Sequence, residues 1–428
     1  MELRAVRGMN DILPEEALRW QHLEAAFRAH AELHGFAEVR TPAVEHTALF
    51  ARQIGETTDV VEKEMYSFER HNEHLTLRPE GTAGAARAYV EHTIHAKEPV
   101  SRWYYLGPMF RGERPAKGRY RQFYQAGCEH FGDPGPLCDA EMIDFIVRFF
   151  RKIGIRELAV HVSSLGSAGT RARFRDALLD FFTPKRALLS EDSQRRLEKN
   201  PLRILDSKDP RDREAAAGAP SILELLDEAD TAHWKGVLRY LDILGVEAVV
   251  DPSLVRGLDY YTRTLFEIRA TSADLGNQNT LAGGGRYDHM VEGLGGPKVP
   301  AIGFAMGLER LLASTSWGPE PKKLGVYLAP LTEAGIANAL LLARDLRDLG
   351  VTAEVDGRGG KIRAMLRRAD ALGARLCAIF GEDEVQKGVV TVKDLAGHTQ
   401  DSIALEGAAR LLADRVAHST PVSDGGSR

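Results

Sequence analysis

A polar, proline-bearing stretch, STSWGPEPKK at residues 314–323, divides the chain into two parts with different hydrophobic patterns. After it, short β-prone apolar runs alternate with longer amphipathic runs, in the order strand, helix, strand, helix, strand. This alternation predicts a separate small α/β domain with a partly parallel sheet over residues 324–418. The polar segment 419–428 is expected to be a disordered tail.

The part before this linker, residues 1–320, has a different organisation. Residues 101–131 contain two β-prone runs that flank the basic loop RGERPAKGRYR, which predicts two strands joined by a long loop. Residues 170–240 are rich in Leu, Arg, Asp and Glu, which predicts a helical insertion between two sheet-rich halves. Further on, LAGGGRYDHMVEGLGG (281–296) is typical of a glycine-dense turn region, and VPAIGFAMGLERLLAS (299–314) of a strand that runs into a helix.

Composition narrows the class of protein. The chain has 428 residues with 43% hydrophobic and 27% charged content, which fits a soluble protein of several domains. No run approaches the ~18 apolar residues of a membrane span, and no signal-peptide pattern occurs, so a cytoplasmic location is expected. Three widely spaced cysteines, Cys128, Cys138 and Cys377, argue against a disulfide framework and a Cys-rich zinc site.

Local charge points to a polyanion, although the net charge is −5. Residues 102–121 and residues 358–375 each contain six basic side chains and one acidic side chain. Such basic islands can bind nucleic acid, and a solvated surface explains either island alone equally well.

Polar side chains are embedded in several of the apolar runs. TLRPEGT (76–82) contains Glu80 and Thr82, and the strand period of two places Gln125 and Glu129 on one face. Arg310 lies in an otherwise apolar helix, where it needs a partner. VRGLDYYTRTLFEI (255–268) is typical of a strand, yet strand geometry would point Tyr260 and Tyr261 to opposite faces. Both can line one pocket only if this strand bulges or ends there.

These stretches together resemble a known family. FRGERPAKGRYRQF (110–123), PAIGFAMGLERLL (300–312) and GFAEVRTPAVE (35–45) resemble motifs 2, 3 and 1 of the class II aminoacyl-tRNA synthetases. VRGLDYYTRTLFE (255–267) and AGGGRYD (282–288) resemble the two signature stretches of the histidyl-tRNA synthetases. The resemblance implies an α+β fold, in which helices flank a class II antiparallel sheet with a helical insertion. It also implies that the C-terminal α/β domain binds the anticodon.

The resemblance also implies an activity and its substrates. The family activates L-histidine with ATP to histidyl-adenylate and pyrophosphate, and then transfers histidine to the 3′ end of tRNA(His). Mg²⁺ is expected to accompany ATP, without a protein-held metal site. The partners implied are tRNA(His), L-histidine and a second copy of the chain, in a homodimer formed through motif 1. No association with a membrane is expected.

The implied site residues fall into three groups. The residues implied to act on ATP and in catalysis are Arg111, Glu113, Arg119, Arg256 and Arg310. Those implied to bind histidine are Glu80, Thr82, Arg111, Gln125, Glu129, Arg256, Tyr260, Tyr261 and Tyr287, with Arg286 a further candidate for the pocket wall. Those implied to contact tRNA are Arg114, Lys117, Arg363 and Arg367.

Two alternatives remain at the level of sequence. The family has a non-catalytic relative, a histidine-binding regulatory subunit of ATP phosphoribosyltransferase, which typically lacks the C-terminal domain. The present chain keeps Arg111, Arg256 and Arg310 and has the α/β pattern after the linker, which favours the enzyme. A class II enzyme for another amino acid is disfavoured by RGLDYYTRTLFE (256–267).

Overall fold

The computed structural model describes residues 3–54, 58, 60–116, 118–205, 207, 209–254, 258, 260–271, 279–319 and 323–418. The chain forms two compact units, Met1–Pro319 and Glu320–Arg428. The strands of the first unit are β1 Ala37–Glu38, β2 Val44–His46, β3 Tyr66–Arg70, β4 Glu73–Leu77, β5 Ser101–Phe110, β6 Gln122–Phe131, β7 Leu158–Ser164, β8 Ala248–Val250, β9 Thr262–Ala270, β10 Thr280–Arg286 and β11 Ala301–Gly307.

The α-helices of the first unit lie between and around these strands. They are α1 Pro14–Leu33, α2 Thr47–Ile54, α3 Thr82–Glu91, α4 Pro136–Lys152, α5 Ala168–Phe182, α6 Glu191–Lys199, α7 Pro210–Ala215, α8 Glu228–Ile243, α9 Met290–Gly293 and α10 Leu308–Ser314. Short 3₁₀ turns at Ile94–Ala96, Thr183–Leu188, Pro201–Ile204 and Ile222–Leu225, and a π turn at Val60–Glu64, connect them.

A large antiparallel-rich sheet organises the first unit. Its described strands lie in the order β1-β5-β6-β11-β10-β9-β7-β8, and only the edge pairs β1–β5 and β7–β8 are parallel. Helices cover it: Phe27 of α1 packs edge-on against Phe145 and Phe149 of α4, with ring centroids 6.2 and 5.6 Å apart. Burying such apolar area against a sheet is the main favourable contribution to folding. The predicted sheet flanked by helices is confirmed.

The glycine-dense segment is a strand, so the prediction of a turn region at 281–296 is wrong for its first half. Residues 280–286 form β10, in the middle of the sheet between β9 and β11. A Cβ atom at Gly284 would lie 2.2 Å from the Gly303 carbonyl oxygen, and one at Gly285 would lie 2.5 Å from the Thr264 carbonyl oxygen. The glycines therefore serve close approach between strands rather than a chain reversal.

The strand predicted at 255–268 begins later than expected. β9 starts at Thr262, and Tyr260 lies in a turn before it. Residues 255–257 and 259 lie outside the described residues. Because both tyrosines precede the strand, the alternation of strand side chains does not apply to them.

The segment from α5 to α8 is helical and has a core of its own, which includes Phe174, Leu178 and Phe182. Asp212 is buried in it and accepts hydrogen bonds from the hydroxyl groups of Ser190, Ser193 and Ser207 at 2.6–2.8 Å. These bonds satisfy a buried carboxylate whose isolated burial would be costly.

The second unit is a mixed α/β domain. It consists of β12 Val326–Pro330, α11 Glu333–Asp348, β13 Ala353–Val355, α12 Ile362–Ala371, β14 Leu376–Phe380, α13 Glu382–Lys387, β15 Val389–Asp394, β16 Gln400–Ala404 and α14 Ala408–Ala417. The strand order is β13-β12-β14-β15-β16, with the first three strands parallel. The predicted partly parallel sheet is confirmed, and the tail 419–428 lies outside the described residues. Among the described helices of the chain, none combines the length and the hydropathy that crossing a bilayer requires.

Candidate active site

A cleft with an empty volume of about 930 Å³ opens on the large sheet. Its walls come from the loop between β5 and β6, the start of α3, the strands β6, β10 and β11, and the residues before β9. The predicted site residues that line it are Glu80, Thr82, Arg111, Glu113, Arg119, Gln125, Tyr260, Tyr261, Tyr287 and Arg310.

Other predicted site residues lie elsewhere. Arg256 and Lys117 are outside the described residues. Arg114 is exposed on the loop between β5 and β6, and Arg363 and Arg367 are exposed on α12 of the second unit. The roles given to these residues stay predictions.

Glu80 forms one wall of the cleft and is almost fully buried. Its two carboxylate oxygens accept the backbone N–H groups of Thr82 and Ala83 at 2.7 and 2.9 Å, at the start of α3. Burial raises the pKa of Glu80, while these N–H donors and Arg111 oppose that rise. Glu80 is thus a buried acceptor whose orientation is fixed by the helix N-terminus.

Three tyrosines form an aromatic corner in the cleft. The rings of Tyr260 and Tyr261 have centroids 4.5 Å apart, and the rings of Tyr260 and Tyr287 are 5.7 Å apart. Burial raises the pKa of Tyr260 and of Tyr287 well above the usual value, so both hydroxyl groups stay protonated and can donate. Nearby, the buried Oε1 atom of Gln125 has no hydrogen-bond partner among the described residues. A polar ligand would satisfy that atom.

Glu129 is fully buried and contacts the cleft through other residues. It accepts hydrogen bonds from Thr82 Oγ1, at 2.7 Å, and from the Tyr287 hydroxyl, and both donors line the cleft while Glu129 does not. Burial raises its pKa to about 8, although the two hydroxyl donors oppose this. A direct contact between Glu129 and a substrate, expected from the sequence, therefore stays a prediction.

Two features around Glu129 were not found from the sequence. Gly303 lies against it, since a Cβ atom there would be 1.7 Å from Glu129 Oε2. The buried Tyr105 occupies space beside Gly81 and Gly127, where Cβ atoms would come within 2.2 and 2.5 Å of its ring carbons. Tyr105 belongs to the apolar run of β5, and nothing in that run distinguishes it from a core tyrosine.

The opposite part of the cleft is cationic. Arg111 Nε donates to the Pro79 carbonyl oxygen at 2.8 Å, and its guanidinium lies 5.2 Å from the centre of the Phe123 ring. Arg119 Nε lies 2.8 Å from Glu113 Oε2. Such contacts orient two forked cations along one wall without neutralising Arg111 fully, because Glu113 is 4.0 Å from it.

Arg310 completes the cationic wall from α10. Its Nε donates to the Gly118 carbonyl oxygen at 3.0 Å, and its Nη1 donates to the Thr280 carbonyl oxygen at 2.8 Å. The neighbouring Glu309 accepts the Tyr124 N–H at 2.8 Å, and burial raises the pKa of Glu309 to about 7. The junction of β11 and α10 therefore points Arg310 at the loop between β5 and β6 and at β10.

Arg286 is not part of the pocket wall, which corrects the expectation from the sequence. It is completely buried, and its Nη2 lies 2.8 Å from Asp139 Oδ1 of α4. Arg286 also donates to the carbonyl oxygens of Asp133 and Gly135 and pairs with Asp288 at 3.1 Å. A guanidinium with this many buried acceptors ties β10 to α4 and has no donor directed at the cleft.

The cleft thus combines arginines at one side with a carboxylate, an amide and tyrosine hydroxyls at the other. That arrangement suits a ligand set with phosphates at one end and an amine with a polar ring at the other. The antiparallel sheet, the basic loop between β5 and β6 and the arginine of α10 together define the catalytic domain of a class II aminoacyl-tRNA synthetase. Residues 8–311 match the family described as histidyl-tRNA synthetase, and residues 325–415 match the anticodon binding domain. The chain belongs to the histidyl-tRNA synthetase family.

Relatives and solved structures agree with this membership. The chain is 70% identical over 428 residues to the histidine–tRNA ligase of Sorangium cellulosum, covering 100% of both chains. It is 48% identical over 403 residues to that of Thermosynechococcus vestitus, covering 94% of each. The crystal structure of apo Staphylococcus aureus histidyl-tRNA synthetase superposes with a TM-score of 0.81 at 33% identity, covering 96% of this chain and 100% of that chain.

Proposed function

We propose that this chain is a histidine–tRNA ligase that joins L-histidine to tRNA(His) at the expense of ATP. The observation that carries the proposal is the cleft, in which arginines face a corner made of Glu80, Gln125 and three tyrosines. The full-length likeness to histidine–tRNA ligases supports it. The match of residues 325–415 to an anticodon binding domain favours the ligase over the histidine-binding regulatory subunit.

The first step of the reaction places demands on the arginines. A carboxylate oxygen of histidine attacks the α-phosphorus of ATP, the bond from that phosphorus to the bridging oxygen of the β-phosphate breaks, and pyrophosphate leaves. Negative charge that builds on the phosphate oxygens is stabilised best by prearranged forked cations. We assign Arg111 to the α-phosphate and the histidine carboxylate, and Arg310 to the outer phosphates. Arg256, outside the described residues, is assigned to the opposite side of the α-phosphate.

ATP is held by the same wall. Glu113 and Arg119 pair with each other on the loop between β5 and β6 and face the cleft, where we assign them to the nucleotide. The metal is proposed to arrive as MgATP. Mg²⁺ in nucleotide sites is bound mainly through substrate phosphates and waters, so phosphate oxygens would supply its main ligands.

The polar corner is assigned to the amino acid. Glu80 and Gln125 suit the α-ammonium group, which donates three hydrogen bonds. A neutral imidazole offers one donor and one acceptor, and the hydroxyl of Tyr260 or Tyr261 can donate to that acceptor. Glu129 accepts the hydroxyl hydrogens of Thr82 and Tyr287 and so orients two cleft-lining donors beside the place assigned to the ring. A wrong amino acid would strand these groups, and each lost bond costs roughly 1–3 kcal/mol.

Transfer to tRNA engages both units. The exposed Arg114, together with Lys117, is assigned to the acceptor end of the tRNA. Arg363 and Arg367 lie four residues apart on α12 and are both exposed, so they share a helix face that can meet the anticodon. A homodimer formed through residues 35–45 and a cytoplasmic location, where tRNA is charged, complete the proposal.

The decisive test is ATP–pyrophosphate exchange with purified protein, supplied with each of the twenty amino acids in turn. Exchange with histidine alone would support the reaction and its substrate together. Exchange with another amino acid would overturn the assignment of the polar corner. Absence of exchange, with histidine still binding in calorimetry, would favour the regulatory subunit instead.

A second experiment addresses Arg256. Arg256→His should abolish adenylate formation while histidine binding stays measurable, because the cation beside the α-phosphate is lost and the polar corner is kept. Exchange near the wild-type rate in this variant would remove Arg256 from the catalytic assignment.

A further inference from the structure

Arg263 has an unusual backbone conformation beside the tyrosine pair. Its φ is +43°, and it is the only non-glycine residue with positive φ inside a described strand. The register of β9 against β10 shifts at the same place, since Gly285 faces Leu265 while Arg286 faces Thr262. Arg263 and Thr264 of β9 are therefore left without a partner on β10, directly after Thr262. Such a conformation persists only where surrounding contacts hold it, and it is frequent near functional sites.

The contacts that hold Arg263 come from the helical segment 168–243 and from residues 165–166, which precede it. The Arg263 N–H donates to the Gly166 carbonyl oxygen at 2.9 Å, and the Arg263 carbonyl oxygen accepts from the Leu165 N–H at 2.7 Å. Its side-chain Nε donates to Asp230 Oδ1 of α8 at 3.1 Å. These three bonds tie both the backbone and the side chain of Arg263.

Asp230 is the centre of this junction. Its carboxylate is buried and also accepts the Ser167 N–H at 2.7 Å and the Thr170 hydroxyl at 2.8 Å, both at the start of α5. Burial alone would raise the pKa of Asp230, and these donors together with Arg263 lower it below its usual value. Asp230 therefore stays ionised and joins α5, α8 and β9 in one network.

A second contact reaches the tyrosine pair itself. Arg171 Nη1, from the first turn of α5, donates to the carbonyl oxygen of Tyr261 at 3.0 Å. On the other side Gly285 leaves room for the Tyr261 ring, because a Cβ atom there would lie 3.0 Å from Tyr261 Cδ1. Tyr261 is thus held by its carbonyl oxygen at α5 and packs its ring against β10.

We propose that the helical segment positions the tyrosine pair for amino-acid binding, with Arg171 and Asp230 as positioning residues. The inference rests on the proposed function, since it takes Tyr260 and Tyr261 to contact histidine. Neither Arg171 nor Asp230 lines the cleft, so both act through the backbone of residues 261–263. The segment then contributes to the choice and affinity of the amino acid in addition to any contact with tRNA.

The test compares two arginines of the same helix. Arg171→Met removes the bond to Tyr261. The control Arg173→Met removes the bonds from Arg173 to the Leu225 carbonyl oxygen and to the Thr170 hydroxyl, and it leaves in place the bond to Tyr261 and the bonds that Asp230 accepts. Arg171→Met should raise the KM for histidine in pyrophosphate exchange about three- to tenfold, the effect of one hydrogen bond. The KM for ATP should stay within about twofold, and the control should change neither.

A second pair of variants and a ligand-free readout keep the test decisive. Asp230→Asn should act like Arg171→Met, while Asp212→Asn, which disturbs a buried carboxylate of the same segment, should lower stability without selective loss of histidine affinity. In the free protein, backbone amide hydrogen exchange over residues 260–266 should accelerate in Arg171→Met and not in Arg173→Met. If Asp230→Asn fails to fold, Arg171→Met decides.

The outcomes separate this inference from the proposed function. Equal histidine KM values in Arg171→Met and Arg173→Met, or equal rises in the KM for histidine and for ATP, would overturn the positioning role. If the wild-type protein shows no histidine-dependent exchange, the proposed function fails, and the amide exchange comparison still shows whether the segment orders residues 260–266.

Discussion

Gly303 offers a sharp test of how Glu129 supports the amino-acid pocket. In Gly303→Ala the added Cβ atom would lie 1.7 Å from Glu129 Oε2, 2.6 Å from its Cδ and 2.8 Å from the Cys128 carbonyl oxygen. Cβ contacts in real structures essentially never fall below 3.0 Å, so the carboxylate must move by at least about 1.3 Å. A movement of that size breaks the bonds from Thr82 and Tyr287 to Glu129.

The expected magnitude follows from these contacts. Overpacking of a buried site costs about 1–3 kcal/mol, and each of the two lost hydrogen bonds adds about 0.5–1.5 kcal/mol. The free energy of unfolding should therefore fall by about 2–6 kcal/mol. Misplaced Thr82 and Tyr287 hydroxyls should raise the KM for histidine about tenfold or more, while the KM for ATP changes less.

The assays are thermal unfolding and pyrophosphate exchange, with Gly307→Ala as the steric control. Gly307 ends the same strand, and a Cβ atom there would meet nothing within 4 Å, so its replacement should leave Tm nearly unchanged. In a Glu129→Ala background, most of the stability cost of Gly303→Ala should disappear, because the clashing carboxylate is absent. A wild-type histidine KM in Gly303→Ala, or an undiminished cost in the double variant, would refute the reasoning.

Three further predictions concern pH, ATP and tRNA. Because burial raises the Glu129 pKa from 4.5 to about 8, the native state keeps a proton that the unfolded chain releases between those values. The free energy of unfolding should therefore fall as pH rises through this window. Glu129→Gln, which has no titrating carboxyl at this position, should flatten the decline in Tm between about pH 5 and 8. An unchanged slope of Tm against pH in this variant would contradict the reasoning. Arg310→Lys should raise the KM for ATP about tenfold and change the KM for histidine little, because lysine lacks the forked guanidinium that bonds to the carbonyl oxygens of Gly118 and Thr280. Equal rises of both KM values in exchange kinetics would count against a place for Arg310 beside the phosphates. Deleting residues 324–428 should damage tRNA charging more than pyrophosphate exchange, and equal loss of both rates would mean that the second unit supports the catalytic fold instead.

Much of the candidate site could be predicted because its side chains lie in short continuous stretches. Residues 76–82, 110–123 and 300–312 each bring polar groups to the end of an apolar run, and the structure gathers them around one cleft. The sequence pattern could not show that Tyr287 lines the cleft whereas Arg286 does not. The two residues are adjacent at the end of β10, and only the position of Asp139 on α4 makes one of them buried structure and the other a wall of the cleft.

The glycines show a similar limit. A run of three glycines is compatible with a turn or with close approach between strands, and local propensity favours the turn. The structure selects a central strand because Phe266, Gly303 and Phe304 occupy the space that a Cβ atom of Gly284 would need. That space is filled by residues distant in sequence, so no local pattern reports it.

The sequence by itself predicted a division at residues 314–323 from hydrophobic periodicity, and its contiguous motifs indicated the family. The antiparallel sheet flanked by helices followed from the resemblance to that family. These signals could be read from the sequence because periodicity and contiguous motifs are local properties. The tertiary structure alone decided that Glu129 lies behind Thr82 and Tyr287 and that Tyr105 fills the space beside two glycines. It also decided that Arg171 contacts Tyr261 and that Asp230 contacts Arg263. The physical reason is that burial, pKa and close packing depend on atoms brought together from distant parts of the chain, across separations that short-range spacing does not encode.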